Sequence, residues 1–223
     1  MPRAMKDKVK LFGDRLSEAV SESLRFCFMS RGKEFQQEAC EKLSLLRQDA
    51  VILKAEMVSQ ADEDSANAML SFEGIVDSVI SELKMWIALK EDDPHVAWDC
   101  LVDAQGAIRA ALWAHPVAQS FAAYPHHLQL LKFVLFPPQL FLSSRLVVAS
   151  SECSICGGEY GECDHVKGRA YMGRMCTEIV NEIAELRSVD VVRNPANPHC
   201  RIMQFTDGGV MRDYMTWRII SER

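Results

Sequence analysis

Apolar residues recur at steps of three or four through more than half of the chain, and this pattern stops at Pro137-Pro138. The spacing is typical of helices that bury one face and expose the other. Five stretches carry it: 9–28, 35–57, 69–86, 97–112 and 121–135. Because each apolar stripe has to be covered, and neighbouring helices are the nearest cover, we expect residues 1–137 to form an antiparallel helical bundle.

Breaks between these stretches predict where the helices begin and end. The polar residues 59–67 separate the second stretch from the third. Asp93 before Pro94 is a typical helix start, and His115-Pro116 interrupts the fourth stretch. The double proline at 137–138 cannot continue a helix, so the bundle is predicted to end there.

The sequence changes character after Pro138, where glycines and β-favouring residues replace the helical spacing. Seven of the 11 glycines lie after residue 156. Strand-favouring segments lie at 140–142, 146–148, 189–192 and 201–205. The first two flank Ser143-Ser144-Arg145, a pattern that fits separate strands or a hairpin. Residues 210–220 fit either a closing helix or a last strand.

Charge and the absence of long apolar runs exclude several classes of protein. The net charge is −6, from 25 basic and 31 acidic residues, so no strong attraction to nucleic acid or anionic membranes is expected. The chain contains no run of 18 apolar residues, so no membrane-spanning helix is predicted. The first 30 residues mix charged and apolar groups and do not resemble a signal peptide. We therefore expect a cytoplasmic protein that does not bind membranes.

Metal-binding residue types are concentrated in one short segment, Cys153-Ser-Ile-Cys156-Gly-Gly-Glu-Tyr-Gly-Glu-Cys163-Asp-His165. Two residues between Cys153 and Cys156 let the backbone turn tightly and direct both sulfurs at one point, with Gly157 and Gly158 supplying unusual backbone angles. Cys163 and His165 can complete a tetrahedron. Three thiolates and an imidazole are typical ligands of Zn²⁺, so the sequence predicts a zinc site.

The fourth ligand is open at this point. Cys163 and His165 are separated by one residue, which is a short spacing for two ligands of one ion. Cys176, His199 or Cys200 could replace His165. The alternatives to a zinc site are buried reduced cysteines in a glycine-rich loop, redox chemistry or a different metal. An extracellular disulfide framework is not expected without a signal peptide.

A structural role for the zinc follows from the composition of the C-terminal region. Residues 138–223 contain many turn formers and few large apolar groups near the cysteines, so this region buries little surface. A structural zinc ion contributes roughly 10 kcal/mol or more to folding in small peptides. The expected fold class is therefore α+β, mainly α: an antiparallel helical bundle at 1–137, then a small zinc-stabilised domain containing β-strands at 138–223.

The pattern C-x2-C-G-x-x-Y-x-x-C-x-H-x-x-G-x-x-Y-x-G, from Cys153 to Gly173, resembles a cysteine-histidine zinc-knuckle module of uncharacterised bacterial and phage-linked proteins. Residues 191–198, which end in Pro-Ala-Asn-Pro, resemble a segment of phage prohead proteases. The catalytic histidine and serine of those proteases have no matching positions here, so protease activity is not carried over. The resemblance implies a role in phage biology or bacterial defence.

Other chemistry-bearing residues favour ordinary structural roles. Carboxylates lie four residues apart on two successive helices, at Glu73, Asp77, Asp99 and Asp103. Facing helices could gather them around two metal ions, but the Glu-x-x-His pairs of such centres are absent, and an ion-paired or solvated face is expected. Cys100 could act as a nucleophile with His95 or His115, although no third group is in place to orient the pair.

Aromatic and sulfur-containing side chains of the helices are expected in the core. Trp86, Trp98 and Trp113 are predicted to anchor the bundle rather than to line a ligand site. The 11 methionines either fill the core or offer an adaptable contact surface.

The preferred function is a cytoplasmic protein-interaction module with a structural zinc. One alternative is a zinc-dependent enzyme or effector, which would keep an open metal position for water. A second is nucleic-acid binding, which the acidic residues Glu152, Glu159, Glu162 and Asp164 beside the cysteines disfavour. A protein partner is expected, and the near-heptad spacing of residues 35–57 also permits a homo-oligomer.

Overall fold

The structure, a computed structural model, describes residues 3–220. Its helices are α1 (Arg3–Leu24), α2 (Lys33–Ser59), α3 (Glu63–Lys90), α4 (Pro94–Ala114), a 3₁₀ helix (Pro116–Phe121) and α5 (Tyr124–Leu135). Its strands are β1 (Phe141–Cys153), β2 (Ala170–Tyr171), β3 (Arg174–Met175), β4 (Glu178–Val192), β5 (Gln204–Asp207) and β6 (Val210–Asp213). The predicted class, α+β and mainly α, is confirmed. Within these residues, no helix combines the length and the apolar content needed to cross a bilayer.

Side-chain contacts show that successive helices run antiparallel. Between α2 and α3, Arg47 Nε lies 2.5 Å from Asp77 Oδ1, and Lys54 Nζ lies 2.9 Å from Glu73 Oε1. The later residue of α2 therefore pairs with the earlier residue of α3, as antiparallel helices require. These pairs also confirm that two of the four spaced carboxylates belong to an ion-paired face.

Helix α3 is the centre of the bundle and packs against α1, α2 and α4. Its buried serines fix α4: Ser71 Oγ donates to Ala111 O at 2.8 Å, and Ser78 Oγ donates to Ala104 O at 2.7 Å. Gly74 allows the two backbones to approach, because a Cβ added there would lie 2.9 Å from the carbonyl oxygen of Ala107. The small residue is therefore needed for the packing of α3 on α4.

The tryptophan prediction holds for two of three residues. Trp86 and Trp98 are buried, but Trp113 is 62% exposed and does not anchor the core. Trp113 lies near the end of α4, and its ring faces Gly168 of the C-terminal region, where an added Cβ would lie 3.2 Å from the ring. The helical methionines with described side chains are all buried, at Met5, Met57, Met69 and Met85. They fill the core, and the alternative of an adaptable methionine surface on the helices is not supported.

Strand β1 runs without interruption through Ser143-Ser144-Arg145, so the prediction of separate strands or a hairpin there is wrong. Its partner is β4, which pairs with it antiparallel from Phe141–Val192 to Cys153–Glu178. The expected strand at 189–192 is only the end of β4. The ambiguous segment 210–220 contributes a strand, β6, rather than a closing helix. The hairpin is absent because β4, supplied from far along the chain, pairs with β1 on both sides of the serines.

The C-terminal region is joined to the bundle at Trp98 of α4. The indole Nε1 donates to Pro198 O at 3.1 Å. The ring meets Phe136 edge-on at 5.4 Å and Phe141 at 5.9 Å between centroids. The guanidinium of Arg201 lies 5.5 Å from the ring centroid. The helices end before residue 137 and the strands begin after 138, but independent folding of 1–137 and 138–223 stays a prediction.

Polar contacts around Arg201 strengthen this junction. Its side chain is 2% exposed, and Nη1 lies 3.0 Å from His95 Nδ1. The opposite nitrogen of His95, Nε2, lies 2.5 Å from Asp213 Oδ2. Both ring nitrogens of His95 therefore have partners within the junction. Neither nitrogen is left free to act as a base for Cys100.

A buried carboxylate, Glu82, lies between α3 and α5. It is fully buried and accepts a hydrogen bond from Tyr124 Oη, and its Oε1 lies 3.0 Å from His127 Nε2. The hydrogen bond and charge of Glu82 raise the pKa of His127, although partial burial of the ring lowers it. Both oxygens of the buried Glu82 carboxylate therefore have hydrogen-bond partners, Tyr124 on one and His127 on the other.

We expect the Glu82–His127 pair to make stability depend on pH. Because the folded-state pKa of His127 is raised, its stabilisation is complete below the unfolded-state pKa of about 6.5 and is lost as pH rises through the folded-state pKa. His127→Gln should lower the free energy of unfolding more near pH 6 than near pH 9, measured by urea unfolding followed by helical circular dichroism. The exposed neighbour provides the control His126→Gln. An equal loss at both pH values would contradict the expectation.

The close approach at Gly74 predicts opposite effects for two glycine-to-alanine substitutions. Gly74→Ala should lower the free energy of unfolding by about 1–3 kcal/mol, because the added methyl forces α4 away. Gly106→Ala on α4, where an added Cβ meets nothing within 4 Å, should instead raise it by about 0.5–1 kcal/mol. Urea unfolding of both variants tests this, and stabilisation by Gly74→Ala would refute the packing argument.

Candidate metal centre

The four predicted ligands come together at the end of β1. One donor atom from each of Cys153, Cys156, Cys163 and His165 lies within 4.8 Å of all the others. Cys153 is the last residue of β1, and the others lie in the loop that leads to β2. Among residues 3–220, this is the one such group of histidine, cysteine and acidic side chains.

The first two cysteines lie in a tight turn. Gly157 N donates to Cys153 O at 2.8 Å, and Cys153 N donates to Gly158 O at 2.8 Å. Gly157 has a φ of +72°, as predicted, whereas Gly158 does not adopt a positive φ. The backbone N–H of Ile155 donates a hydrogen bond to Cys153 Sγ at 3.4 Å. The turn therefore presents the first sulfur to backbone N–H groups that stabilise a thiolate.

The loop carrying His165 is held by Tyr171 of β2. The imidazole and phenol rings meet edge-on with centroids 4.7 Å apart, and Tyr171 Oη accepts from Val166 N at 2.9 Å. The Nδ1 atom of His165 is buried and has no hydrogen-bond partner among the described residues. A buried polar atom without a partner is costly, and a bound cation would compensate for it.

The hairpin of β2 and β3 is fixed to the N-terminal end of α3. Gly173 N donates to Asn67 Oδ1 at 2.8 Å, and Asn67 Nδ2 donates to Ala170 O at 3.3 Å. Met172 N donates to Glu63 Oε1 at 3.2 Å. The bundle thus supports the cluster from one side, through side chains of the first two turns of α3.

The thiols of the cluster influence one another. Burial raises the pKa of Cys153, but hydrogen bonds from the backbone of Cys156 and Ile155 and from the thiols of Cys163 and Cys176 outweigh it and lower the pKa to about 6. Hydrogen bonding from His165 N lowers the pKa of Cys163, yet burial and the neighbouring thiols raise it more. One thiolate therefore forms readily and disfavours the next. A divalent cation removes this conflict, because it attracts every thiolate.

The three substitute ligands named from the sequence are placed differently. His199 lies between the carboxylates of Asp99 and Asp103, with a 3.3 Å contact to each, and Cys200 is exposed; both lie outside the cluster. Cys176 is buried, and its Sγ lies 3.8 Å from Cys153 Sγ. The structure therefore keeps one of the three substitutes in reach of the cluster.

The arrangement fits a closed metal site better than a catalytic one. Sulfur and imidazole donors suit Zn²⁺, and four such donors complete a tetrahedron without leaving a position for water. The surroundings are acidic, since Glu159, Glu162 and Asp164 are exposed beside the donors. Lys167 pairs with Glu178 at 3.3 Å and does not offset them.

Comparison of the chain with protein-family models, with curated proteins and with solved structures gives no match. The case for a function therefore depends on the residues and their geometry.

Proposed function

We propose that the chain is a protein-interaction module whose C-terminal region is held together by a structural zinc ion. The observation that carries this proposal is the convergence of Cys153, Cys156, Cys163 and His165 within 4.8 Å. Three thiolates and one imidazole match the structural sites that Zn²⁺ forms.

The scarcity of buried apolar side chains supports a structural role for the ion. Among the described residues after 138, the buried apolar ones are Phe141, Cys153, Cys176 and Met215. Two of these four are cysteines at the cluster. So small a core cannot by itself order the loop between β1 and β4, and a metal–ligand set worth roughly 10 kcal/mol would supply the difference.

The ribbon formed by β1 and β4 supports a protein partner. Opposed residues of an antiparallel pair point to the same side, and here Leu142 pairs with Val191, Leu146 with Leu186 and Val148 with Ile183. Alternation along β1 places Leu142, Ser144, Leu146 and Val148 on one side, with Val189 opposite Ser144. On β4 the register shifts between the partners of Arg145 and Leu146 and between those of Val147 and Val148, so an extra β4 residue separates the paired ones at each shift. We call these seven apolar residues the ribbon face. Each is between 39% and 58% exposed.

Two observations favour a protein with an apolar surface as the partner. A two-stranded ribbon is marginally stable in water, so covering the ribbon face would stabilise it. The charged residues of β4 are mainly acidic, at Glu178, Glu182, Glu185 and Asp190, with Arg187 as the one base. This charge opposes nucleic acid and anionic lipid. The link to phage biology or bacterial defence and the cytoplasmic location stay predictions.

Removing one ligand should release the metal and loosen only the C-terminal region. We expect purified wild-type protein to contain one zinc ion per chain by elemental analysis, and Cys156→Ser to lose it. Helix content by circular dichroism should be largely retained, while limited proteolysis should cut between residues 138 and 223 faster.

Cys200→Ser is the matched control, because Cys200 is an exposed cysteine outside the cluster. It should leave both zinc content and proteolysis unchanged. Wild-type protein without zinc would overturn the proposal.

Replacing an apolar cross-strand pair should weaken partner binding without unfolding the ribbon. Leu146→Thr with Leu186→Thr keeps β-favouring residues and removes the central pair of the ribbon face. Tagged wild-type and variant chains, isolated from cells that natively contain the protein, would be compared by quantitative mass spectrometry. At least one protein enriched with wild type should fall about tenfold or more with the variant.

The control for this experiment changes the polar side of the same ribbon, at the pair Arg145 and Ser188. Arg145→Thr with Ser188→Thr should retain the partner. Identical protein sets for all three chains would exclude the ribbon face as the interface. If wild type self-associates in sedimentation experiments and the Leu146→Thr, Leu186→Thr variant does not, the partner is instead a second copy of the chain.

A further inference from the structure

A fifth potential donor, Cys176, lies beside the cluster of four. Cys176 belongs to none of the spacings of the knuckle between Cys153 and His165, yet its Sγ lies 3.8 Å from Cys153 Sγ. Zinc–sulfur bonds of about 2.3 Å in a tetrahedron place neighbouring sulfurs about 3.8 Å apart. The separation of these two sulfurs is therefore that of two ligands of one zinc ion.

The backbone holds Cys176 in this place. Its N–H donates to Arg169 O at 2.8 Å, and its carbonyl accepts from Gly168 N at 2.9 Å. These bonds join the end of the β2–β3 hairpin to the loop that carries His165. The side chain of Cys176 is completely buried, so its sulfur faces the cluster rather than solvent. The 3.8 Å separation of their sulfurs allows Cys153 and Cys176 to bind one ion together.

His165 is equally suited to the fourth position. It lies within 4.8 Å of the donor atoms of the other three ligands, and its Nδ1 is buried without a hydrogen-bond partner among the described residues. A structural zinc ion accepts four ligands, so three sulfurs leave one position for two candidates.

Building on the proposed zinc site, we propose that His165 and Cys176 are interchangeable fourth ligands. Cys153, Cys156 and Cys163 bind the ion in every case. The fourth position is filled either by the imidazole of His165, which gives three sulfurs and one nitrogen, or by the thiolate of Cys176, which gives four sulfurs. Loss of either residue is then compensated by the other, and the ion stays bound.

The test compares His165→Ala, Cys176→Ser and the double variant with wild type. Zinc K-edge X-ray absorption counts sulfur and nitrogen ligands, and competition with a chelator measures zinc affinity. His165→Ala should keep one zinc ion with four sulfur ligands, and Cys176→Ser should keep one with three sulfurs and one nitrogen. Each single variant should bind zinc within about tenfold of wild type. The double variant should bind at least about 100-fold more weakly, since changing even an outer partner of a ligand costs about 10–100-fold.

Two results would overturn the proposal. Three sulfurs and a light-atom ligand in His165→Ala would show that Cys176 does not bind the metal. Release of zinc from Cys176→Ser would show that His165 cannot replace the thiolate. Helical circular dichroism reports only on the bundle, so Cys176→Ala is measured beside Cys176→Ser, and release of zinc from both variants is the result that counts against His165. If wild type contains zinc and either of these results is found, only the interchangeable-ligand proposal fails. If wild type contains no zinc, the proposed function itself fails.

Discussion

The small number of buried apolar side chains after residue 138 constrains the whole C-terminal region of the molecule. Folding there has to offset the conformational entropy of a long loop between β1 and β4, and area burial alone supplies little. Clustered thiols offer a different source of free energy, because a metal–ligand bond is strong and needs no apolar surface. The position of the cluster agrees with this requirement, since it joins the end of β1 to the loop that follows it.

The bundle gives the C-terminal region a fixed orientation. Asn67 and Glu63 on α3 bond the β2–β3 hairpin, while Trp98 on α4 receives the turn at Pro198 and the guanidinium of Arg201. These contacts lie on two neighbouring helices that buried serines and Gly74 hold in close contact. Rigid packing in the bundle therefore positions a region that has little packing of its own.

The sequence predicted the parts of the structure that depend on local spacing. Helical stripes, the Asp93 cap, whose side chain accepts from Val96 N at 3.1 Å, and the four clustered donors are all local patterns. Trp113 was misplaced because it lies one position off the buried stripe of α4, and its contact with Gly168 depends on a C-terminal loop distant in sequence. The first half of β4 was missed since its residues, exposed on both faces, lack an alternating pattern. The contact of Cys176 with Cys153 depends on the β2–β3 hairpin, which no spacing indicates.

The candidate metal centre and the ribbon face are connected through β1, which contributes residues to both. Cys153 ends β1, and Cys176 lies two residues before β4, so an ion bound by both would pin the two strands at their paired end. The register of the ribbon decides which side chains share a face, and a slip of one residue would move the apolar set to the opposite side. On the proposed function, the metal therefore maintains the surface that a partner would recognise, and a partner that selects this register must in turn strengthen metal binding, since coupling between two binding sites is reciprocal.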